Sequence, residues 1–413
     1  MNKELKIKFS LLCVSIILML IIGEVVIRFY YHATDKIIAK DQEELCAKGA
    51  YIKAANVNDP NRYNPGDTTY LEYSNYTGIR PKANWNVNYI VTLENYSNKK
   101  IKYYIFNTNS KHIRGLKDIN YTKNPNKTRI AILGDSFTWG ADVSIKFSYV
   151  SMLEELIPNS EVLNFGIEGI GIDTMYLRWK YEALKFSPDI VIFAIYTDNI
   201  ARAQPCIHKP KLIVKDNKLK ITNIPPPSYE EIYKTYKEPK LESYLIKHLL
   251  YNLKYVKGVS KTQYEYGFDI LDLILDEIKD KSKEDNTHFI VLIIDRGNDY
   301  INTKVELRVI ERLKNMLKQK NIKYIDSESI FWKENYIPTD NSNRTIGHFT
   351  PEGNSILAQG IKNKLEDEHI IPKYKDYTFK WVIDYYGLDT LILQNKQNSS
   401  DIIKIYPYEV ITS

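Results

Sequence analysis

Cysteine is scarce here, at three residues in a chain of 413. That excludes a scaffold built on disulfides. None of the three lies in a CxxC or beside clustered histidines, so no structural zinc site is expected. Cys13 lies inside an apolar run, while Cys46 and Cys206 could pair in an oxidising compartment or each stay an inert thiol. Long basic blocks are also missing. The 57 Lys and Arg are interspersed with 51 Asp and Glu to give a net charge of +6, a mixed surface that does not point to nucleic acid. There is no internal repeat. Histidine numbers only seven, so one in a distinctive place carries information. What is present is apolar: 44% hydrophobic and 12% aromatic residues can bury a proper core, which excludes global disorder. The length suits one large domain or two ordinary ones.

The amino terminus carries the longest apolar run, FSLLCVSIILMLIIG, uncharged from Phe9 to Gly23. Ile7 to Tyr30 is about the length of a bilayer-crossing helix. Tilt would let Glu24 and Arg28 reach the headgroups, with Tyr30 and Tyr31 in the interfacial aromatic belt. No small-x-small cleavage site closes the run, so residues 1–32 read as a cytoplasmic tail and an uncleaved single-pass signal anchor. The basic residues do not separate the two sides, but a short amino-terminal tail favours placing the rest of the chain outside the cytoplasm. Residues 33–84 read as a stalk or irregular lead-in.

From residue 85 to 371 the pattern is that of a globular domain. NYIVTLENY and KKIKYYIFN read as two strands joined across Asn98-Lys99. The apolar runs RIAILG, EVLNFGI, DIVIFAIY, HFIVLIID and KYIDS then alternate with helical stretches: FSYVSMLEELI, TMYLRWKYEALKF, FDILDLILDEIKD, KVELRVIERLKNMLKQ and GNSILAQGIKNKLED. Strands separated by helices predict parallel βαβ units in a doubly wound α/β sheet. The rhythm breaks at about 205–258. There KLIVKDNKLKIT predicts a hairpin turning at Asp216-Asn217, and YLIKHLLYNLKYV a helix. This insertion at the sheet's carboxyl edge could cover a substrate. Residues 372–413 hold short strand-like pieces of no evident role.

Four places bear chemistry. Gly134-Asp135-Ser136 ends the first sheet strand in a sharp turn, and a serine there is a nucleophile if a base lies near, or simply caps the next helix. NFGIEGIGIDT (164–174) follows the next strand; its glycines bring backbone N–H groups close to a bound group, though the spacing is not a dinucleotide fingerprint. Thr197-Asp198-Asn199 ends the third strand, where polar residues serve either as donors or as turn residues. His348, in GHFTPEGN before the last helix, can reach the carboxyl edge as a general base.

Together these blocks resemble the SGNH (GDSL-like) hydrolase superfamily, in its membrane-anchored bacterial form. Gly134 to Gly140, GDSFTWG, looks like the family's nucleophile block, and Asn164 to Gly169 is similar to its NxGxxG element. GHFTPEGN matches its histidine block, and NTNSKHIRG resembles a lead-in of anchored members. The resemblance covers about Arg129 to Asp367. It implies a three-layer α/β sandwich with a central, mostly parallel sheet behind one transmembrane helix. It also implies a Ser136–His348 acyl-enzyme mechanism and an oxyanion hole from Ser136 and Gly169. Two positions depart from the pattern. The family's Asn-Asp is here Thr197-Asp198-Asn199, so either Thr197 or Asn199 completes the hole, and Gly297-Asn298-Asp299 is a decoy on the wrong strand. The family's acid before the histidine is replaced by Thr345 and Ile346. Asp340 could fold back to serve; otherwise the pair is a dyad oriented by a backbone carbonyl or the Thr345 hydroxyl. No cofactor or metal is implied. The expected reaction is hydrolysis of a small acyl ester or an acetylated envelope glycan. O-acetyl transfer by the same site and a non-catalytic binding or assembly module are the alternatives. Protein partners are not indicated.

Overall fold

The computed structural model describes residues 3–33, 70–95, 98–141, 143–236, 243–256, 263–295, 304–334, 348–375, 377–383, 389–398, 400 and 402–405. The chain divides into two units. One comprises Met1–Thr69, Pro205–Lys211 and Asn223–Thr262; the other comprises Tyr70–Gln204, Leu212–Thr222 and Gln263–Ser413.

The second unit is built on five parallel strands: β5 (Thr128–Gly134), β6 (Ser160–Gly166), β7 (Ile190–Tyr196), β10 (His288–Ile294) and β11 (Lys323–Asp326). Their spatial order is β11-β10-β7-β5-β6. The chain therefore leaves β5 for β6 on one side, then returns to β7 on the other. The switch point between β5 and β7 is where an open α/β sheet opens a crevice at its carboxyl edge. Numbered in chain order outside this sheet are β1 (Leu71–Ser74), β2 (Gly78–Pro81), β3 (Asn86–Asn95), β4 (Asn98–Asn107), β8 (Lys211–Lys215) and β9 (Lys218–Thr222), with β12 (Tyr377–Ile383), β13 (Asp389–Asn395) and β14 (Ile402–Ile405).

The helices are α1 (Lys3–Ala33), α2 (Ser136–Trp139), α3 (Tyr149–Leu156), α4 (Ile172–Tyr181), α5 (Thr197–Ala201), α6 (Tyr229–Tyr236), α7 (Tyr244–Val256), α8 (Gln263–Glu284), α9 (Lys304–Gln319), α10 (Ser327–Lys333) and α11 (Pro351–Asp367). Helices of the second unit cover both faces of the sheet, which is why its strands read as unbroken apolar runs. Ala131, Leu133, Val191, Phe193, Val291 and Ile293 point to one side, against α4, α8 and α9. Ile130, Ile132, Ile192, Ala194, Leu292 and Ile294 point to the other, against α3 and α11. Each fully buried Ile, Leu or Phe contributes about 1.5–3 kcal/mol of transfer free energy, so these two layers dominate the fold's stability. The architecture is the three-layer α/β sandwich the sequence predicts.

Several details differ from the sequence reading. The helix expected over 174–186 stops at Tyr181, and Ala183–Phe186 is a 3₁₀ turn. The β3–β4 register pairs Asn95 with Asn98 and Glu94 with Lys99, so the expected junction Asn98-Lys99 lies within β4. β1 and β2 pair within the stretch read as lead-in. Tyr70, just before them, stacks on Trp139 at 4.5 Å between ring centroids and so holds them to the core. The β8–β9 hairpin turns at Asp216 and Asn217, both with φ near +55°, the conformation a two-residue hairpin turn requires. Leu212, Leu219 and Ile221 pack on the first core layer, so this hairpin belongs with the sheet, while residues 223–262 belong to the other unit. The C-terminal pieces form a three-stranded antiparallel sheet, β12-β13-β14. Tyr377 and Ile403 pack on the second core layer.

In the first unit, α1 has no fully buried residue and is long and apolar enough to cross a membrane. Cys206 is disulfide-bonded and Cys13 is free; Cys46 lies outside the described residues. Glu24 pairs with Arg28 at 2.7 Å and accepts from Ser243 Oγ and the N–H groups of Tyr244 and Leu245.

Candidate active site

Ser136 is delivered by the turn that ends β5. Asp135 is the N-cap of α2, its carboxylate accepting from Phe137 N–H at 3.1 Å, so capping falls to Asp135 and leaves the Ser136 hydroxyl for other work. His348 arrives from the other end of the chain. It stands just ahead of α11, whose start is fixed by the Thr350 side chain accepting from Gly353 N–H and by Pro351 in the first turn. Asn354 holds this junction to α3, accepting from Tyr149 N–H at 3.0 Å and donating to the carbonyls of Phe349 and Thr350. Edge-on packing of the imidazole against Phe137, 5.0 Å between ring centroids, restricts its swing. The result is a hydrogen bond of 2.8 Å between His348 Nε2 and Ser136 Oγ. That is the reach a general base needs. Asp340 and Thr345 lie outside the described residues.

The second block follows β6, the strand paired with β5. Gly169 has φ of +73°, a left-handed conformation that favours glycine, and a side chain there would meet nothing within 4 Å. Its loop is held on both flanks. Tyr70 Oη accepts from Glu168 N–H, and Asn199 Nδ2 donates to Ile170 O.

The third block divides its labour. Asn199 is fully buried: its Oδ1 accepts from Tyr196 N–H, and its Nδ2 donates to Asp135 Oδ2 at 2.8 Å as well as to Ile170 O. Both amide hydrogens are thereby committed to Asp135 and the glycine loop. Thr197, also buried, has a hydroxyl with no hydrogen-bond partner among the described residues.

Sequence alone assigns no role to Asp135 or Arg202. Asp135 accepts from Asn199, from Phe137 N–H and from Arg202 Nη1 at 3.2 Å, while Arg202 Nη2 binds Asp198 at 2.9 Å. The signals for them are Asp135's place beside the serine and the i,i+4 spacing of Asp198 and Arg202. Burial pushes the Asp135 carboxyl above its ordinary value of 3.8, opposed by the Asn199 hydrogen bond and the Arg202 charge. A carboxyl raised in the folded state costs stability as pH rises through its titration. Arg202 offsets that cost only where Asp135 is ionised. We therefore expect Arg202→Ala to cost up to roughly 1 kcal/mol at neutral pH, the scale of a partly exposed ion pair, and less at acid pH, where Asp135 is protonated. Melting curves at neutral and acid pH check this; an equal loss at both would refute it.

No protein-family model and no curated protein matches the chain. Among solved structures it is similar to a lipolytic protein of the G-D-S-L family from Desulfitobacterium hafniense, at 14% identity and a TM-score of 0.33, covering 57% of this chain and 98% of that one. A member of the same family from Veillonella parvula matches at 15% identity and a TM-score of 0.33, covering 57% and 97%. A catalytic mutant of Axe2, an acetylxylan esterase from Geobacillus stearothermophilus, matches at 15% identity and a TM-score of 0.36, covering 59% and 96%. Likenesses at this level leave the reaction to be argued from Ser136 and His348.

Proposed function

We propose that this chain is a membrane-anchored serine esterase of the SGNH type, with α1 as its anchor and its site outside the cytoplasm. The single observation that carries the reaction is the 2.8 Å bond between His348 Nε2 and Ser136 Oγ at the switch point of the sheet. His348 takes the Ser136 proton as Oγ bonds to the ester carbonyl carbon. The oxyanion is held by the N–H groups of Ser136 and Gly169 and by the Thr197 hydroxyl, whose lack of a partner supports this role. We assign Asn199 to Asp135, since its amide hydrogens are committed there. The carbonyl re-forms, the C–O bond to the leaving alkoxide breaks, and His348 returns the proton to that oxygen. Water then releases the acid, or a sugar hydroxyl takes the acyl group in the transferase variant of the same chemistry. Asp340 remains our candidate for orienting His348.

O-acetyl groups on envelope glycans are the proposed substrate, because a site tethered outside the membrane meets them. The disulfide at Cys206 fits an oxidising compartment. A binding or assembly module would have no use for a hydroxyl held to an imidazole at the carboxyl edge. A fluorophosphonate is expected to form one covalent adduct, on Ser136, and to abolish hydrolysis of p-nitrophenyl acetate in step with labelling. Labelling elsewhere, or hydrolysis that survives full labelling, would sink the proposal. Acetate release from acetylated glycan, against transfer to an added sugar, separates the two variants.

A further inference from the structure

In the first unit α7 lies against α1. Its sequence, YLIKHLLYNLKYV, carries two lysines and a predominance of large apolar side chains. One side of its first turns meets α1. Leu245 packs on the backbone of Gly23, Arg28 lies over the Tyr244 ring at 4.4 Å, and Tyr31 Oη and His248 Nδ1 are 3.1 Å apart. Glu24 closes the contact by accepting from Ser243 Oγ, Tyr244 N–H and Leu245 N–H at 2.8–2.9 Å. The side turned away from α1 presents Ile246, Leu249 and Leu250, exposed by 58%, 50% and 46%. These are exposures like those of the apolar residues along α1 itself, such as Ile17 at 57% and Val26 at 57%. Their i, i+3, i+4 spacing makes them one stripe.

We propose that α7 is a second membrane contact, seated in the same bilayer as α1 with Ile246, Leu249 and Leu250 against lipid chains. This rests on the reading of α1 as a transmembrane anchor. Glu24 supplies the depth. It lies six residues before Tyr30, the end of the apolar span, and so ~9 Å along the helix from the interface. A carboxylate there is costly unless protein groups satisfy it. The groups that do so are Arg28 and the first turn of α7, which must therefore sit at the depth of Glu24. At that depth an exposed Ile-Leu-Leu stripe meets hydrocarbon, not water. Segments more than 200 residues apart in sequence then share one membrane site, as the Glu24–Ser243 and Tyr31–His248 contacts require.

The test uses the full chain in phosphatidylethanolamine–phosphatidylglycerol vesicles, with a benzophenone amino acid replacing either Ile17 or Leu249. Both positions are exposed, so neither probe disturbs packing. After irradiation, mass spectrometry is expected to find phospholipid attached at both. Lipid at Ile17 with no lipid at Leu249 overturns the proposal and leaves the anchor standing. A cross-linked dimer from Leu249 in place of a lipid adduct would also overturn it, showing that a second copy covers the stripe. No lipid at Ile17 would remove the anchor reading and, with it, the shared membrane site.

Discussion

Alanine at position 136 is expected to lower kcat/KM for a small acyl ester by about 10⁴- to 10⁶-fold, the scale on which a serine nucleophile's loss is felt. Its effect on stability should be slight. The change removes one hydroxyl and the bond to His348, which is partly exposed, so about 1 kcal/mol is the upper scale. A large catalytic loss with near-native melting is the signature of a group that acts on the reaction, not on the fold. His348→Gln should cost a similar factor. The double variant should be little worse than either single one, because nucleophile and base act as a unit and their losses do not add. Initial rates on p-nitrophenyl acetate, with matched melting curves, are the measurement. A Ser136→Ala variant within tenfold of the parent, or single losses that multiply in the double variant, would refute the mechanism.

Much of this site could be read from the chain, and the reasons are local. A buried parallel strand needs apolar residues on both faces, so RIAILG and DIVIFAIY announce themselves, and the glycine and polar residues that end them mark the carboxyl edge. Ser136 and His348 sit 212 residues apart, yet each occupies an element boundary with its own signals: Gly134 before one, Thr350 and Pro351 after the other. What stayed hidden depends on which way a side chain turns. Thr197 and Asn199 are equivalent candidates in the sequence. Only the set of α5 shows that Asn199 faces Asp135 and the glycine loop while Thr197 keeps an unengaged hydroxyl. The Asp135–Arg202 pair was hidden likewise, because it joins the turn after β5 to the far end of α5. The insertion was legible as a break in rhythm, but not that its hairpin and its helix would part company. Periodicity shows that a face will be buried without naming what buries it.

A large effect on stability is expected at Gly166, at the end of β6. A side chain there would place its Cβ 2.2 Å from Trp139 N and 2.8 Å from Thr138 C and Trp139 Cα. All three are backbone atoms of α2, so no rotamer can relieve the contact. Normal carbon contacts begin near 3.5 Å, which means α2 must back away by roughly 1 Å. It cannot do so freely. Asn164 holds it by donating to Thr138 O at 2.7 Å, and Trp139 is locked under Tyr70. Gly166→Ala should therefore destabilise the domain by at least about 4 kcal/mol, at the extreme end of single substitutions, and lower Tm by more than about 10 °C. Because α2 begins with Ser136, the same displacement moves the nucleophile, and a shift of about 1 Å costs on the order of 10²-fold in rate even in molecules that stay folded. Gly169→Ala is the control. Its Cβ would enter open space, leaving only the strain of φ at +73°, about 1–2 kcal/mol, and its N–H would remain in place. Thermal melts and rates for the two variants, measured side by side, test the difference. If Gly166→Ala melts within a few degrees of the parent, or no lower than Gly169→Ala, then the close approach of α2 to β6 is not what holds Ser136 in place.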